Sequence, residues 1–171
     1  VEHFFWHTLC DNYLELCKDR LYNPKKYTEE KRQAAQYTLY SALLTTLKLL
    51  APIMPYITEA VYQKYFSKAE KKKSIHLSQW PEANVKFIDE SAETTGEHIV
   101  AILAAIRKMK SEKNVSVKVP VKQLIIQCNS ELKEQLILGF DDLKATAHIE
   151  EIVFGNADLT INAQVKIAAL F

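Results

Sequence analysis

Leu49-Leu50-Ala51-Pro52-Ile53-Met54-Pro55-Tyr56-Ile57-Thr58-Glu59-Ala60-Val61-Tyr62-Gln63 is the stretch whose reading decides the fold. Pro52 has no amide hydrogen and disfavours helical dihedrals at Ala51, so a helix arriving from the N-terminal side is expected to end there. Pro55 repeats the block. Thr58 then stands where a side-chain oxygen can cap a new helix, with Glu59 in a first turn that favours negative charge. The pattern predicts two apolar helices joined at a rigid corner. The plain account of such a corner is a sharp turn in a bundle; the functional account is a binding surface held in fixed shape.

Upstream, the spacing predicts a helix over residues 2–22. Phe5, Leu9, Tyr13 and Leu16 form one apolar row and Trp6, Cys10, Leu14, Cys17 and Leu21 a second, as on a helix covered on most sides. Thr28, followed by Glu29 and Glu30, caps the next helix, whose stripe is Leu39, Leu43, Leu44, Leu47 and Leu50. Downstream of the corner, a helix over residues 58–67 is expected to bury Ile57, Val61, Tyr62 and either Tyr65 or Phe66. Residues 74–81 read as an extended strap docked by Ile75, Leu77 and Trp80. A long helix over residues 89–113 carries Ile99, Ile102, Leu103, Ile106 and Met109 on one face.

After Asn114 the period changes. Residues 121–128 and 149–154 read as strands, separated by a helix capped by Ser130 and carrying Leu132, Leu136, Ile137 and Phe140; residues 159–161 and 164–170 are further strand candidates. The fold expected is mainly α: a helical bundle over residues 1–114 with a small C-terminal α/β appendage over 115–171.

Composition narrows the function. Nearly half of the 171 residues are apolar, enough for a sizeable core, and the net charge of +1 removes any argument from overall basicity. The 3 glycines form no phosphate-cradling loop. Cys10, Cys17 and Cys128 show no metal or redox spacing, as expected of reduced cytosolic thiols, and no apolar run approaches the ~20 residues of a membrane span. The chain opens on Val1 directly into helix-like sequence and reads as a piece of a longer protein. His3, His7 and Cys10 share a helix face but lack the ligand pattern of a zinc site, and packing or solvent contact is the better account. No catalytic constellation is recognisable.

The basic residues fall in clusters. Arg107, Lys108, Lys110, Lys113, Lys118 and Lys122 stand against Glu112 alone; Lys18, Arg20, Lys25 and Lys26 form a second group, and Lys68, Lys71, Lys72 and Lys73 a third. Any one of them reads as solvated lysine or arginine; as groups they suit phosphates, whose neutralisation makes affinity salt-sensitive. Tyr22, Tyr27 and Tyr56 are candidates for stacking on unpaired bases.

Residues 50–59 also resemble the proline corner of the anticodon-binding domain of class I aminoacyl-tRNA synthetases, in the subgroup charging valine, isoleucine and leucine. Cys10-Asp11-Asn12-Tyr13-Leu14-Glu15 with Lys18, Ala35 to Tyr40, and Ser74-Ile75-His76-Leu77 followed by Trp80-Pro81 are similar to the same domain, in the same order, over residues 4–81. In the second half, Ile106-Arg107-Lys108-Met109-Lys110-Ser111-Glu112-Lys113 and Leu143-Lys144-Ala145-Thr146 with Ile149-Glu150-Glu151-Ile152 resemble the valyl enzymes of the archaeal-type branch. Val119-Pro120 stands where isoleucyl enzymes usually carry Arg-x-Pro. Lys108-Met109-Lys110-Ser111 has some of the composition of the family's adenylation loop without its order, and is read as chance.

The resemblance implies an anticodon stem-loop-binding domain, non-catalytic in itself, serving valine-tRNA ligase. The tRNA would be its partner, together with the parent's catalytic and editing domains, in the cytoplasm and with no membrane. The fragment would hold no cofactor, ATP and magnesium being used elsewhere in the parent. The implied base contacts are Tyr56, Ile57 and Glu59; the phosphate candidates are Lys18, Arg20, Arg107 and Lys110. The alternatives are the same domain of an isoleucyl enzyme and a non-catalytic protein-interaction module.

Overall fold

A computed structural model describes residues 1–162 and 164–171. Its contacts divide the chain into two compact units, Val1–Val85 and Lys86–Phe171. The long helix therefore groups with the α/β portion rather than with the helices that precede it. Among the described residues there are seven α-helices and one four-stranded sheet, so the chain is mainly helical with a small α/β part, as its periodicity predicts.

The first unit begins with a continuous helical stretch, π-helical over Phe4–Tyr13 and α-helical over Leu14–Tyr22 (α1). Only Leu9 and Cys17 of this stretch are buried, and Phe4 and Trp6 are exposed, so the expectation of cover on most sides is not met. Helix α2, Glu29–Leu50, starts at Thr28 as expected: its side chain accepts from the Lys31 amide, and Glu29 and Glu30 occupy the first turn.

The corner then departs from expectation in detail. Ala51 keeps helical dihedrals (φ −55°, ψ −38°), and the Ile53 and Met54 amides both donate to Leu50 O, at 2.9 and 2.8 Å, folding the chain through a tight turn. Helix α3 is Pro55–Tyr65, with Pro55 in its first turn. A proline there has φ preset for helix and no amide hydrogen to leave unpaired, so it starts the helix three residues before Thr58. Thr58 is therefore not a cap; its buried hydroxyl donates back to Met54 O at 2.8 Å. Helix α4, Ser67–Glu70, follows.

The core of this unit is Leu44, Leu47, Ala51, Tyr62, Phe66 and Ile75, with Tyr40, Leu43 and Val61 packed against it. Phe66, not the exposed Tyr65, supplies the aromatic expected at that end of α3; Ile57 points to solvent. The strap forms a 3-10 turn over Ile75–Leu77; of the three apolar residues expected to dock it, Ile75 is buried and Leu77 and Trp80 are exposed. Burying one such isoleucine stabilises by about 1.5–3 kcal/mol.

In the second unit, Asp89 caps α5, Glu90–Glu112, by accepting from the Ala92 amide. Ile99, Ile102, Leu103 and Ile106 are buried. Strand β1, Val121–Gln127, leads to α6, Ser130–Ile137, then α7, Phe140–Ala147, then β2, Ile149–Phe154. Asn129, not Ser130, caps α6, accepting from Leu132 N at 2.9 Å, and the expected single helix breaks in two around Gly139. Strands β3, Leu159–Thr160, and β4, Lys166–Leu170, complete the sheet in the order β2-β1-β4-β3. Strands β1 and β2 are parallel (Val121 opposite Ile149), as the intervening helices require, while β4 runs antiparallel to both β1 and β3.

Candidate nucleic-acid interface

The proline corner presents apolar surface to solvent. Tyr56 is 91% exposed, with Ile53, Met54 and Ile57 exposed beside it. These residues lie in the turn or the first turn of α3, before the helix meets the core at Tyr62. The flanking prolines and the Thr58 back-bond hold the backbone beneath them. A rigid platform with an uncovered aromatic ring is what stacking on an unpaired base requires.

Glu59 is committed elsewhere. Its carboxylate accepts from the Ile75 amide at 2.9 Å, from Ser74 Oγ at 3.0 Å and from Gln63 Nε2 at 2.7 Å. Partial burial pulls its carboxyl up, but the hydrogen bonds from Gln63, Ile75 and Ser74 outweigh this and hold it below the usual carboxylate range. With both oxygens engaged, Glu59 holds the strap.

Lys18 is exposed and paired with Glu15 at 2.5 Å, and Arg20 is half-buried on the same helix. The chain returns from this end of α1 through the loop to the start of α2, whereas the corner lies beyond the other end of that 22-residue helix. At 1.5 Å per residue α2 alone spans roughly 33 Å. These two cations and the corner are thus not one cluster. The loop is organised by Asp19, which accepts from Lys26 (2.5 Å), Asn23 (2.5 Å) and the Tyr27 hydroxyl (2.6 Å). Burial raises the Asp19 carboxyl, and these bonds more than reverse it, so it lies below its ordinary value; Lys26 is raised by Asp19 in turn. Tyr27 is pushed up to about 12, first by burial and then by Asp19. Its hydroxyl is engaged, so Tyr22, 78% exposed, is the free aromatic of this loop.

The second unit holds the remaining candidates. Arg107 is half-buried and Lys108 lies 3.9 Å from Glu112. Lys113 sits over the Phe171 ring at 4.5 Å, and Lys118 and Lys122 are exposed. Lys110 is not a surface cation. It is 1% exposed, and its Nζ donates to Val117 O at 2.8 Å and to Ala147 O at 3.0 Å. Burial lowers its pKa. It ties the 115–118 turn and the end of α7 to α5, and cannot reach a phosphate. The signal was in the spacing: Ile99, Leu103, Ile106 and Lys110 continue one helical stripe, so the lysine falls on the core face.

His7 Nδ1 lies 3.2 Å from Asp11, and among the described residues no group of three or more His, Cys, Asp or Glu is gathered for a metal ion. No helix among them is long and apolar enough to cross a membrane.

Comparison with known proteins gives the family. The family model described as the anticodon-binding domain of tRNA ligase matches residues 1–139. Among similar curated proteins, the valine–tRNA ligase of Methanopyrus kandleri is 37% identical over 89% of this chain and 16% of its own length. That of Ehrlichia canis is 36% identical over the whole chain and 20% of its own length, and that of Ehrlichia ruminantium strain Gardel 41% over 90% and 18%. The chain spans a fifth or less of these relatives.

Proposed function

The chain belongs to the family of anticodon-binding domains of tRNA ligases, and on that premise we propose that it grips the anticodon stem-loop of valine tRNA within a valine–tRNA ligase. The observation that carries this reading is the corner itself, where Ile53, Met54, Tyr56 and Ile57 stand exposed on a proline-locked turn. Tyr56 and Ile57 meet bases; Lys18 and Arg20, at the far end of α2 from the corner, and Arg107, in the second unit, are each separate candidates for phosphates. Glu59 and Lys110 leave the contact set, because one holds the strap and the other is buried. The domain catalyses nothing. ATP-dependent aminoacylation, with its ATP and magnesium, belongs to a catalytic domain of the parent ligase acting in the cytoplasm, and the grip described here serves to present the acceptor end to that domain. The names of the relatives favour valine as the amino acid, with isoleucine as the alternative.

The test is binding of the chain to anticodon stem-loop hairpins of valine and isoleucine tRNA at low and moderate salt. The reading expects preference for the valine hairpin and affinity that falls as salt rises. Tyr56→Ala should weaken binding by the ~1–3 kcal/mol of one stacked base, roughly 5- to 150-fold, and leave the melting temperature unchanged. Equal binding to both hairpins refutes the valine assignment. Salt-independent binding, or none, refutes the RNA reading and favours a protein partner for the exposed corner together with Leu77 and Trp80.

A further inference from the structure

We propose that Glu59 is a positioning residue, and that the segment it pins beside the corner, Lys71, Lys72 and Lys73, is a phosphate-binding element of the same RNA interface. RNA as the ligand rests on the anticodon reading above; the pinning itself does not.

The geometry lies within the first unit. Tyr56, Glu59 and Gln63 recur at helical spacing along one stripe of α3, so the exposed ring and the pinning groups share a face over roughly 10 Å. Glu59 Oε2 takes both the Ser74 hydroxyl and the Ile75 amide. Gln63 bridges Glu59 Oε1 and the Lys73 carbonyl, donating to both. On the other side of the same turn, Ile75 is buried among Tyr62, Phe66 and Leu47. The chain just ahead of Ile75 is thus held by polar bonds and by apolar burial together, and it cannot swing away from α3.

Charge supplies the second argument. Lys71, Lys72 and Lys73 are exposed, and none of them is in an ion pair among the described residues. The nearby carboxylate that would neutralise them, Glu70, is spent on α2: it accepts from the Tyr40 hydroxyl at 3.1 Å and pairs with Lys48 at 3.4 Å. Glu59 is turned to the strap, accepting from Gln63, Ser74 Oγ and the Ile75 amide, and is in no ion pair with these lysines among the described residues. Three uncompensated ammonium groups on a fixed backbone, beside an exposed aromatic platform, match a phosphate backbone whose bases stack alongside. On a floating loop the backbone would also have to be ordered on binding; here the backbone leading into Ile75 is held already.

The experiment measures affinity for the valine anticodon hairpin against salt. The set comprises the wild-type chain, the triple variant Lys71→Ala/Lys72→Ala/Lys73→Ala, Glu59→Ala, and their combination. The triple variant should flatten the slope of log K against log salt by about 2, from ~0.7 per lost single-strand contact, with an unchanged melting temperature. Glu59→Ala is the discriminating variant. Deleting a nearby negative charge should strengthen RNA binding on electrostatics alone, whereas loss of a positioning residue should weaken it and flatten the slope. Added to the triple variant, Glu59→Ala should then cost nothing further. Gln63→Ala with Ser74→Ala loosens the same segment more gently and replaces Glu59→Ala if that variant fails to fold. Hydrogen exchange at the Ile75 amide reads the pinning without RNA and should quicken in Glu59→Ala. An unchanged slope in the triple variant overturns the phosphate role, and tighter binding by Glu59→Ala or unaltered Ile75 exchange overturns the positioning role. A wild-type chain that binds no hairpin refutes the anticodon reading, and the phosphate role with it, leaving the exchange result to decide the pinning.

Discussion

Truncating Lys110 probes the second unit more sharply than any other single change. Its ammonium makes two charge-assisted bonds, to the half-buried Val117 carbonyl and the fully enclosed Ala147 carbonyl, and the residue is 1% exposed. Each bond to a charged donor is worth about 1.5–3 kcal/mol, and the three stem methylenes beyond Cβ add roughly 0.8 each. Against this stands the several kcal/mol needed to strip an ammonium of water. The balance for Lys110→Ala is a loss of about 3 kcal/mol, because the alanine leaves both a hole and a bare Ala147 carbonyl. Lys110→Met keeps the stem and sheds the charge, so it should lose about half as much. Thermal unfolding followed by far-ultraviolet circular dichroism reads both: at ~4–8 °C per kcal/mol for a unit of this size, the alanine variant should melt some 12–24 °C lower. The pH dependence has a definite sign. The folded pKa lies below the unfolded value, so between the two the unfolded chain binds more protons and wild-type stability rises with pH, relative to Lys110→Met, until the unfolded value near 10.5 is passed. A Lys110→Ala variant within 1 kcal/mol of wild type would refute the clamp.

The other expectations are smaller. Asp19→Asn should cost about 1–2 kcal/mol at neutral pH by loosening the grip on Lys26 and Tyr27. The difference should vanish in acid as Asp19 protonates below its ordinary value, and the Tyr27 titration, near 12 in the wild type, should move back toward 10. Asn129→Ala should lose about 1 kcal/mol of stability by uncapping α6, whereas Ser130→Ala should lose almost none. Glu59→Gln should match the wild type in acid, fall behind as pH rises from the lowered folded value to the ordinary carboxylate value, and stay behind by a constant margin above it, since the bonded carboxylate stabilises only when ionised. Arg107→Glu alone should reduce the salt slope of RNA binding; pairing it with Lys110→Glu would confound the result by placing a carboxylate against two carbonyls.

Much of this was legible where a single local interaction decides. Thr28 caps its helix because a short oxygen-bearing side chain precedes an acidic first turn; Asp89 does the same in the structure, where periodicity alone marks only the start of a helix. The long stripe of α5 and the strands at residues 121 and 149 followed from periodicity. The failures have a common cause: two readings competed locally and packing chose. Thr58 was a plausible cap, but Pro55 starts the helix first. Ser130 and Asn129 both cap well, and the chain uses the earlier one. Lys110 counted as a phosphate ligand because lysine is usually outside, while its helical phase put it inside. At the site, the exposed Tyr56 and the proline platform were visible in the sequence. Glu59's engagement with the strap was not, since Ser74 and Ile75 lie 15 and 16 residues away on a segment that periodicity cannot place.

The two tryptophans, Trp6 and Trp80, are 55% and 60% exposed. Their emission in the native chain should already be close to that of indole in water, so denaturation will shift it little, and a fluorescence melt would under-report the unfolding of a well-packed core. The same exposure makes Trp80, just beyond the pinned strap, an optical reporter of occupancy. A partner that settles on that strap will quench or shield Trp80 while the far-ultraviolet signal stays constant, and the chain can be titrated without a label.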